Sequence, residues 1–536
     1  MVLFKGIGRC GLEKDGPPEV LNWRYPGSGT QDDPYIVTWI EGDAENPQNL
    51  SRTRKWIITA LAGIQVLSVT FASSAYSGAL HKVIEHFSVT TVVATLGMST
   101  FVLGFALGPL VWAPLSELYG RRPIFLLSFA GMTAFNVGLI FSPNFAALAA
   151  LRFLAGALGS SVMASSGGVI ADVHAQRDRG VAMALFALAP GVGPVLGPIA
   201  GGFLGAAAGW RWVLGMVALF GGAVLVVSAA AVPETYAPVL LRRRAARLGR
   251  LREGVRYRSA ADAAGAAPLG VARVLWRSLS RPWVLLFVEP IVLLLSVYMA
   301  IVYGTLYMLF GAFPVVFQVD RGWSPGVGGL SFLGVMVGIF AAALWAVVDN
   351  GRYARLCARH GGVAPAEVRL QSTMVGGVLL PVGLFWFAWT NYSSIHWIVP
   401  ILAGSFFGAG MTLIMISILN YLVDAYTIFA ASVLAANNAL RSMFAAGFPL
   451  FTPTMYANLG IHWASSVPAF LALACAPLPF LFYRYGAVIR KKCKYAAESA
   501  AFLEKTREQT RARNEESSAS TAPTIESEKE GDPETK

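Results

Sequence analysis

Three formal charges stand inside long apolar stretches of this chain: Arg152, Glu289 and Arg441. A charge in hydrocarbon is expensive, so such residues face a cavity or a partner and mark candidate functional sites. Glu289 is followed by Pro290 and is expected about 10 Å into its stretch at 1.5 Å per residue. A carboxylate there is suited to carry a proton or contact a cation, with a structural salt bridge as the alternative. Arg441 follows Asn437 and Asn438; that polar trio would line a central cavity or supply hydrogen bonds between helices. A second set flanks the apolar stretches. Glu117, Arg121 and Arg122 follow one of them and Asp172 ends another. Glu117 is placed to sit against the positive N-terminal end of a later helix, and the two arginines to pair with Asp172, forming a latch; charges that only set topology are the alternative. Tyr298, Tyr303, Tyr307, Phe310 and Phe313 recur at spacings of three to five, which suits substrate-facing rings and helix- or lipid-facing rings alike.

The elements that must position these groups are twelve apolar stretches, at about 55–79, 92–115, 123–142, 145–170, 180–206, 211–231, 283–308, 325–349, 374–390, 396–419, 429–454 and 462–483. Each matches the roughly 20 helical residues that cross a bilayer core of about 30 Å. A backbone in lipid must satisfy its own hydrogen bonds, so helices are expected throughout. Composition agrees: 55% of residues are apolar, 13% are charged, and the mean hydropathy is +0.56, too little charge to clothe a soluble globule of this size.

The net charge of +12 would suit nucleic acid, but its distribution excludes that reading. Arg121 and Arg122, Arg177 and Arg179, Arg242–Arg258, Arg352–Arg369 and Arg490–Lys494 all fall after even-numbered spans, whereas the opposite loops offer Lys82, Arg211 and Arg321. This positive-inside asymmetry puts both termini in the cytoplasm and sets a basic surface against anionic lipid.

The expected organisation is a polar cytoplasmic lead (1–54), a six-helix bundle (55–231), a basic connector (232–282), a second six-helix bundle (283–483) and a largely disordered cytoplasmic tail (484–536). No cleaved signal peptide is expected. The four cysteines show no external pair for a disulfide and no Cys-x-x-Cys or His cluster for a metal, so neither cofactor nor metal is expected. Asn391-Tyr392-Ser393 is a glycosylation sequon in a short outer loop.

Span 5 carries Pro190, Pro194 and Pro198 at every fourth residue beside Gly193, Gly197, Gly201, Gly205 and Gly209, two adjoining stripes on one helix. Bare stripes permit close helix packing in lipid, and proline bends the helix.

The segment Gly108-Pro-Leu-Val-Trp-Ala-Pro-Leu-Ser-Glu-Leu-Tyr-Gly-Arg-Arg-Pro123 resembles the loop 2–3 signature of the major facilitator superfamily, in wording close to its fungal drug:proton antiporter branch. The family's acid falls on Glu117, its turn glycine on Gly120 and its bases on Arg121 and Arg122; Ala113 and Leu118 depart from the signature. Span 5, from Ala189 through Gly202, resembles the motif associated with antiporters. Arg152-Phe-Leu-Ala-Gly156 resembles the span 4 motif whose Arg is linked to proton coupling, with Ala155 where Gln is common. Asp33–Trp39, Asn46–Ser51, Pro233–Leu240, Gly322–Gly326 and Tyr421–Asp424 extend the resemblance over roughly residues 30–495.

The resemblance implies an all-α membrane protein, twelve transmembrane helices in two six-helix half-bundles. It further implies a proton-coupled secondary transporter exporting hydrophobic or amphipathic small molecules by alternating access, at the plasma membrane and as a monomer. A polyamine:proton antiporter, a non-transporting sensor and residence in the vacuolar membrane are the alternatives. The chain contains no Gly-Lys pair for a phosphate loop, which argues against an ATP-driven pump, and no hydrolase motif suggests an enzyme.

Overall fold

The computed structural model describes residues 20, 22–252, 254–263, 270–359 and 365–505. Long apolar helices dominate it, and their ends follow local chemistry. Ser51, Thr90 and Asn144 cap spans 1, 2 and 4 by accepting a hydrogen bond from a backbone N–H of the first turn, the ordinary role of a short polar side chain there. Span 1 covers Arg52–Phe87, span 2 Thr91–Tyr119, span 3 Arg121–Ile140 and span 4 Phe145–Val173. Span 5 is made of Gln176–Phe186 and Ala189–Ala208, and span 6 is Trp210–Ala231. In the second half, span 7 is Pro290–Val319, span 8 Pro325–Arg359, span 9 Ala366–Thr390 and span 10 Ile398–Ala425.

The last apolar run, Thr427–Lys492, is 66 residues long and holds two spans. Gly460 breaks it with a φ of 72°, a left-handed conformation that glycine tolerates without a Cβ clash. Twelve membrane-length helices result among the described residues. An even number returns the chain to its starting face, so the described segments before span 1 and after span 12 lie on one face, the inner face.

Two differences from the sequence expectation bear on the site. Span 7 begins at Pro290 rather than near 283; the preceding residues form a separate helix, α2 (Val271–Val288), which packs on spans 2 and 11 at the inner face. Glu289 is therefore the hinge between α2 and span 7, not a group about 10 Å deep in hydrocarbon. The tail stays ordered longer than its composition suggested: the helix of span 12 runs to Lys492 and residues 494–505 are helical. The rest of the expected disordered tail, 506–536, lies outside the described residues, as do residues 1–19 of the lead.

The described part of the lead is not a free polar strand. Strand β1 (Tyr35–Val37) pairs in parallel with β2 (Tyr257–Ser259) of the connector. Tyr25 and Val37 share a small apolar core with Leu241, Ala245 and Leu248 of the connector helix α1 (Ala237–Leu251). Arg244 is buried at its centre, 2.6 Å from Asp43 and 2.8 Å from Glu45, with its guanidinium over Trp39.

Candidate functional site

Span 5 positions the contact between halves. Its glycine stripe does not face the other half, as a sliding seam would require. Gly193, Gly197 and Gly201 lie directly on Thr70, Ser74 and Ala75 of span 1, inside the same half. The neighbouring face is the one that meets span 8. A methyl group added at Gly202 would come within 2.5 Å of the Pro325 carbonyl oxygen, and one at Gly329 within 2.8 Å of the Pro198 carbonyl oxygen. Towards the inner face, Gly191 faces Ile339 and Gly180 faces Asn350. Spans 5 and 8 thus touch towards both membrane faces. Pro190 stands in the first turn of the Ala189–Ala208 helix, and Pro194 and Pro198 lie inside it without breaking it.

Between those closures lies a ring of polar and aromatic residues that crosses the seam twice. Arg152 is fully buried and donates to three main-chain carbonyls: Gly97 (2.9 Å), Ala72 (2.8 Å) and Ser73 (3.1 Å). The rings of Tyr76 and Phe101 flank its guanidinium. Phe101 meets Phe105 edge to face, and the Phe105 carbonyl accepts the Asn438 amide at 2.9 Å, bridging the halves. The Asn438 oxygen then takes two bonds from Arg441, at 3.2 and 2.9 Å. Arg441 lies over Tyr303 at 5.2 Å, and Tyr303 packs on Tyr307. The Tyr307 hydroxyl meets Ser73 Oγ at 2.9 Å, crossing back to span 1 and closing the ring.

Two of the residues expected in the cavity lie elsewhere. Asn437 donates to Ser296 and Met299 of span 7, a tie inside the second half. The Tyr298 hydroxyl faces Gly377 of span 9, also within that half. Tyr303, Asn438 and Arg441 do stand at the seam. Tyr307 and Ser73 complete it; Tyr307 belonged to the aromatic series, but nothing local in the sequence singled out Ser73.

At the inner face the loop 2–3 residues form a network around Arg121. Its Nε lies 3.7 Å from Asp172, its Nη1 donates to Ser116 Oγ at 2.8 Å, and its guanidinium covers the Tyr236 ring. Arg122 donates instead to the Ala229 carbonyl. Glu117 is exposed, and no hydrogen bond, to the start of span 11 or elsewhere, reaches its carboxylate among the described residues.

The acid that does organise this corner is Glu234. It accepts the backbone N–H groups of Arg121 (3.0 Å) and Arg122 (3.3 Å) and so caps span 3, where the helix dipole favours a carboxylate. The Pro233–Leu240 wording pointed at this loop without assigning its acid a role.

The second half repeats the arrangement. Arg369 at the start of span 9 lies 3.0 Å from Asp424 at the end of span 10 and stacks on Tyr353. Glu367 pairs with Arg490 at 2.6 Å. Glu289, fully buried, accepts the Tyr426 hydroxyl and the Tyr495 backbone N–H, both at 2.8 Å. It ties span 7, the span 10–11 turn and the tail helix together. No group of three or more His, Cys, Asp or Glu residues able to hold a metal is found among the described residues. Asn391 of the sequon is buried.

Twelve membrane-length helices in two repeated halves, closed around a polar seam, are the architecture of a membrane transporter. Residues 62–449 match the Major Facilitator Superfamily model, and the chain belongs to that family. It is 56% identical over 91% of its length to the MFS-type efflux pump MFS2 of Trichophyton rubrum, covering 82% of that protein. It is 55% identical over 92% of its length to the multidrug transporter mdrA of Aspergillus fumigatus, covering 81% of that protein. Among solved structures it resembles a partially occluded inward-open xylose transporter XylE from E. coli, with a TM-score of 0.58 and 15% identity over 81% of this chain and 98% of that one; this likeness concerns the fold alone.

Proposed function

We propose that this chain exports amphipathic small molecules from the cytoplasm across the plasma membrane, as a monomer, in exchange for protons. The observation that carries the reading is the seam. A ring with two arginines sits between halves that touch towards both faces along spans 5 and 8. This is the closed intermediate that alternating access about a midplane site requires. Relatives named as an efflux pump and a multidrug transporter support outward movement of foreign compounds. The basic inner face supports a cytoplasmic location for both termini.

Coupling requires that proton and substrate bind the two end states unequally. Asp172 and the exposed Glu117 flank the Arg121 network at the inner face, where opening would remake their contacts; they are the proposed proton-sensitive groups. Arg152 holds the facing carbonyls of spans 1 and 2. Glu289 has two fixed hydrogen-bond donors, a geometry better suited to a tie than to a proton carrier. A polyamine substrate would need acids at the seam, and among the described residues the seam ring offers none.

The test is efflux from cells expressing the full chain, loaded with a neutral hydrophobic dye, with and without a protonophore. Protonophore-sensitive efflux beyond that of control cells is expected. Efflux indifferent to the protonophore would refute the coupling, and no efflux of any of a panel of hydrophobic compounds would refute the exporter.

A further inference from the structure

Arg441 stands about 17 Å into span 11 from its inner end at 1.5 Å per residue, with Asn438 as its hydrogen-bonding partner and Tyr303 beneath it. Guanidinium carries five N–H donors in a planar fork that matches a carboxylate. The described bonds use Nε and Nη2, both on one oxygen of Asn438. The side chain remains only partly buried, so its remaining donors are not sealed into the protein. Asn438 is itself oriented: its amide nitrogen is held by the Phe105 carbonyl of the opposite half, which turns its oxygen to Arg441.

Charge at the seam is one-sided. The salt bridges among the described residues involve Lys82, Arg121, Arg242, Arg244, Arg247, Arg369 and Arg490. None includes Arg441 or Arg152. Arg441 lies over the neutral Tyr303 ring, and Arg152 is held by neutral carbonyls and aromatic faces. Two permanent cations therefore share a low-dielectric seam without a carboxylate. Buried charges are ordinarily paired. Arg152 has its hydrogen bonds satisfied by backbone; Arg441 does not.

We infer that the group completing Arg441 is the transported molecule: an amphipathic compound bearing a carboxylate, its acid on the Arg441 fork and its apolar body on Tyr303, Tyr307 and Phe105. This rests on the exporter reading and narrows it, since a neutral substrate would leave the seam cation uncompensated. The Asn438–Phe105 bond gives the site its link to gating. Anion binding draws on the same guanidinium that anchors Asn438, so an occupied Arg441 alters the contact that joins span 11 to span 2.

The probe is a matched pair, 1-naphthaleneacetate and 1-naphthaleneacetamide, which share a ring system and differ in charge. Energised, substrate-loaded proteoliposomes of the full chain are compared for wild type, Arg441→Gln and Arg441→Lys, in chloride and in gluconate buffer. For wild type the carboxylate is expected to be transported with a KM at least about 10-fold below that of the amide, the order of one charge-assisted pair. In Arg441→Gln that preference falls to about 1, and Arg441→Lys restores part of it.

A wild-type preference for the amide, or none, overturns the inference even if no variant folds, while leaving the exporter standing on the amide's own transport. A carboxylate preference that survives Arg441→Gln also overturns it. Loss of the preference in chloride but not in gluconate would assign the site to an inorganic anion and overturn the carboxylate. Transport of neither probe nor of the neutral dye would remove the exporter reading and this one with it.

Discussion

Replacing Gly202 with alanine tests whether the span 5–8 contact controls the cycle. The added Cβ would meet the Pro325 carbonyl oxygen at 2.5 Å, the Pro325 carbonyl carbon at 2.9 Å and the Gly326 Cα at 3.1 Å. All three are backbone atoms, so no side-chain rotation relieves the clash. Restoring an ordinary contact of roughly 3.4 Å or more requires the two halves to separate by nearly an ångström at that end. Overpacking of this kind costs about 1–3 kcal/mol. Here the cost falls on states in which spans 5 and 8 touch and vanishes when they part, so the equilibrium should shift about 5- to 150-fold towards the outward-open form.

Spin labels at Ala207 and Asp320, both exposed near the outer ends of spans 5 and 7, would read this as a longer distance population in pulsed electron resonance. Efflux should slow with it. Gly215→Ala is the control, because its Cβ meets only Ile140 at 3.8 Å, ordinary van der Waals contact. An unchanged distance distribution in Gly202→Ala, with efflux at the wild-type rate, would refute the assignment of this contact as a gate.

Gly197→Ala presses instead on Ser74 and the Ala75 backbone of its own half, so it should lower thermal stability by about 1–3 kcal/mol with no change in the label distances; a shift in those distances would put the stripe back at the seam. Glu289→Gln weakens the bonds from Tyr426 and Tyr495 by about 1–3 kcal/mol, so the melting temperature should fall while efflux stays protonophore-sensitive; loss of that sensitivity would make Glu289 the proton carrier after all. At the lead–connector clasp, burial raises the Asp43 carboxyl, but hydrogen bonds from Arg244 and backbone amides outweigh it and leave the acid below its ordinary value. A depressed acid contributes stability that is complete above about pH 4 and is lost as pH falls through the lowered value. Amide exchange over residues 25–45 should accordingly rise only below about pH 4 in wild type and at every pH in Arg244→Ala; equal protection in both at neutral pH would refute the clasp.

The helices were legible because lipid leaves few alternatives. Apolar runs of membrane length, charge bias between loops and prolines or glycines at the ends sufficed for twelve spans. The start of span 7 was misplaced for a physical reason. The residues from Trp283 to Val288 are apolar enough to read as a span, but Glu289 and Pro290 end the hydrogen-bond ladder, and the arginines Arg273, Arg277 and Arg281 keep α2 at the membrane surface rather than across it. The order of the tail helix was hidden in a similar way. Its sequence is polar and Ala-rich, and it is held by contacts distant in sequence: the Tyr495 N–H on Glu289, 206 positions away, and the Tyr495 ring on Phe429.

The site was legible in residue type and obscure in pairing. Arg152 and Arg441 announced themselves as charges in hydrocarbon, yet what each touches depends on the angle between helices from different parts of the chain. Asn437 and Asn438 make the point most sharply. They are adjacent and chemically identical, but successive residues on a helix point about 100° apart. Asn437 consequently reaches span 7 inside its own half, whereas Asn438 reaches across to Phe105. The same rotation separates Gly201, on span 1, from Gly202, on span 8. One residue of register decides whether a group packs a half-bundle or gates it, and local sequence pattern cannot specify which face another helix will occupy. A surplus of charge is different, because it needs no register to be noticed. Two seam arginines and, among the described residues, no seam acid form an imbalance that any docking of the helices must answer, and an anion arriving from the cytoplasm answers it at the one guanidinium of the pair that the backbone leaves incomplete.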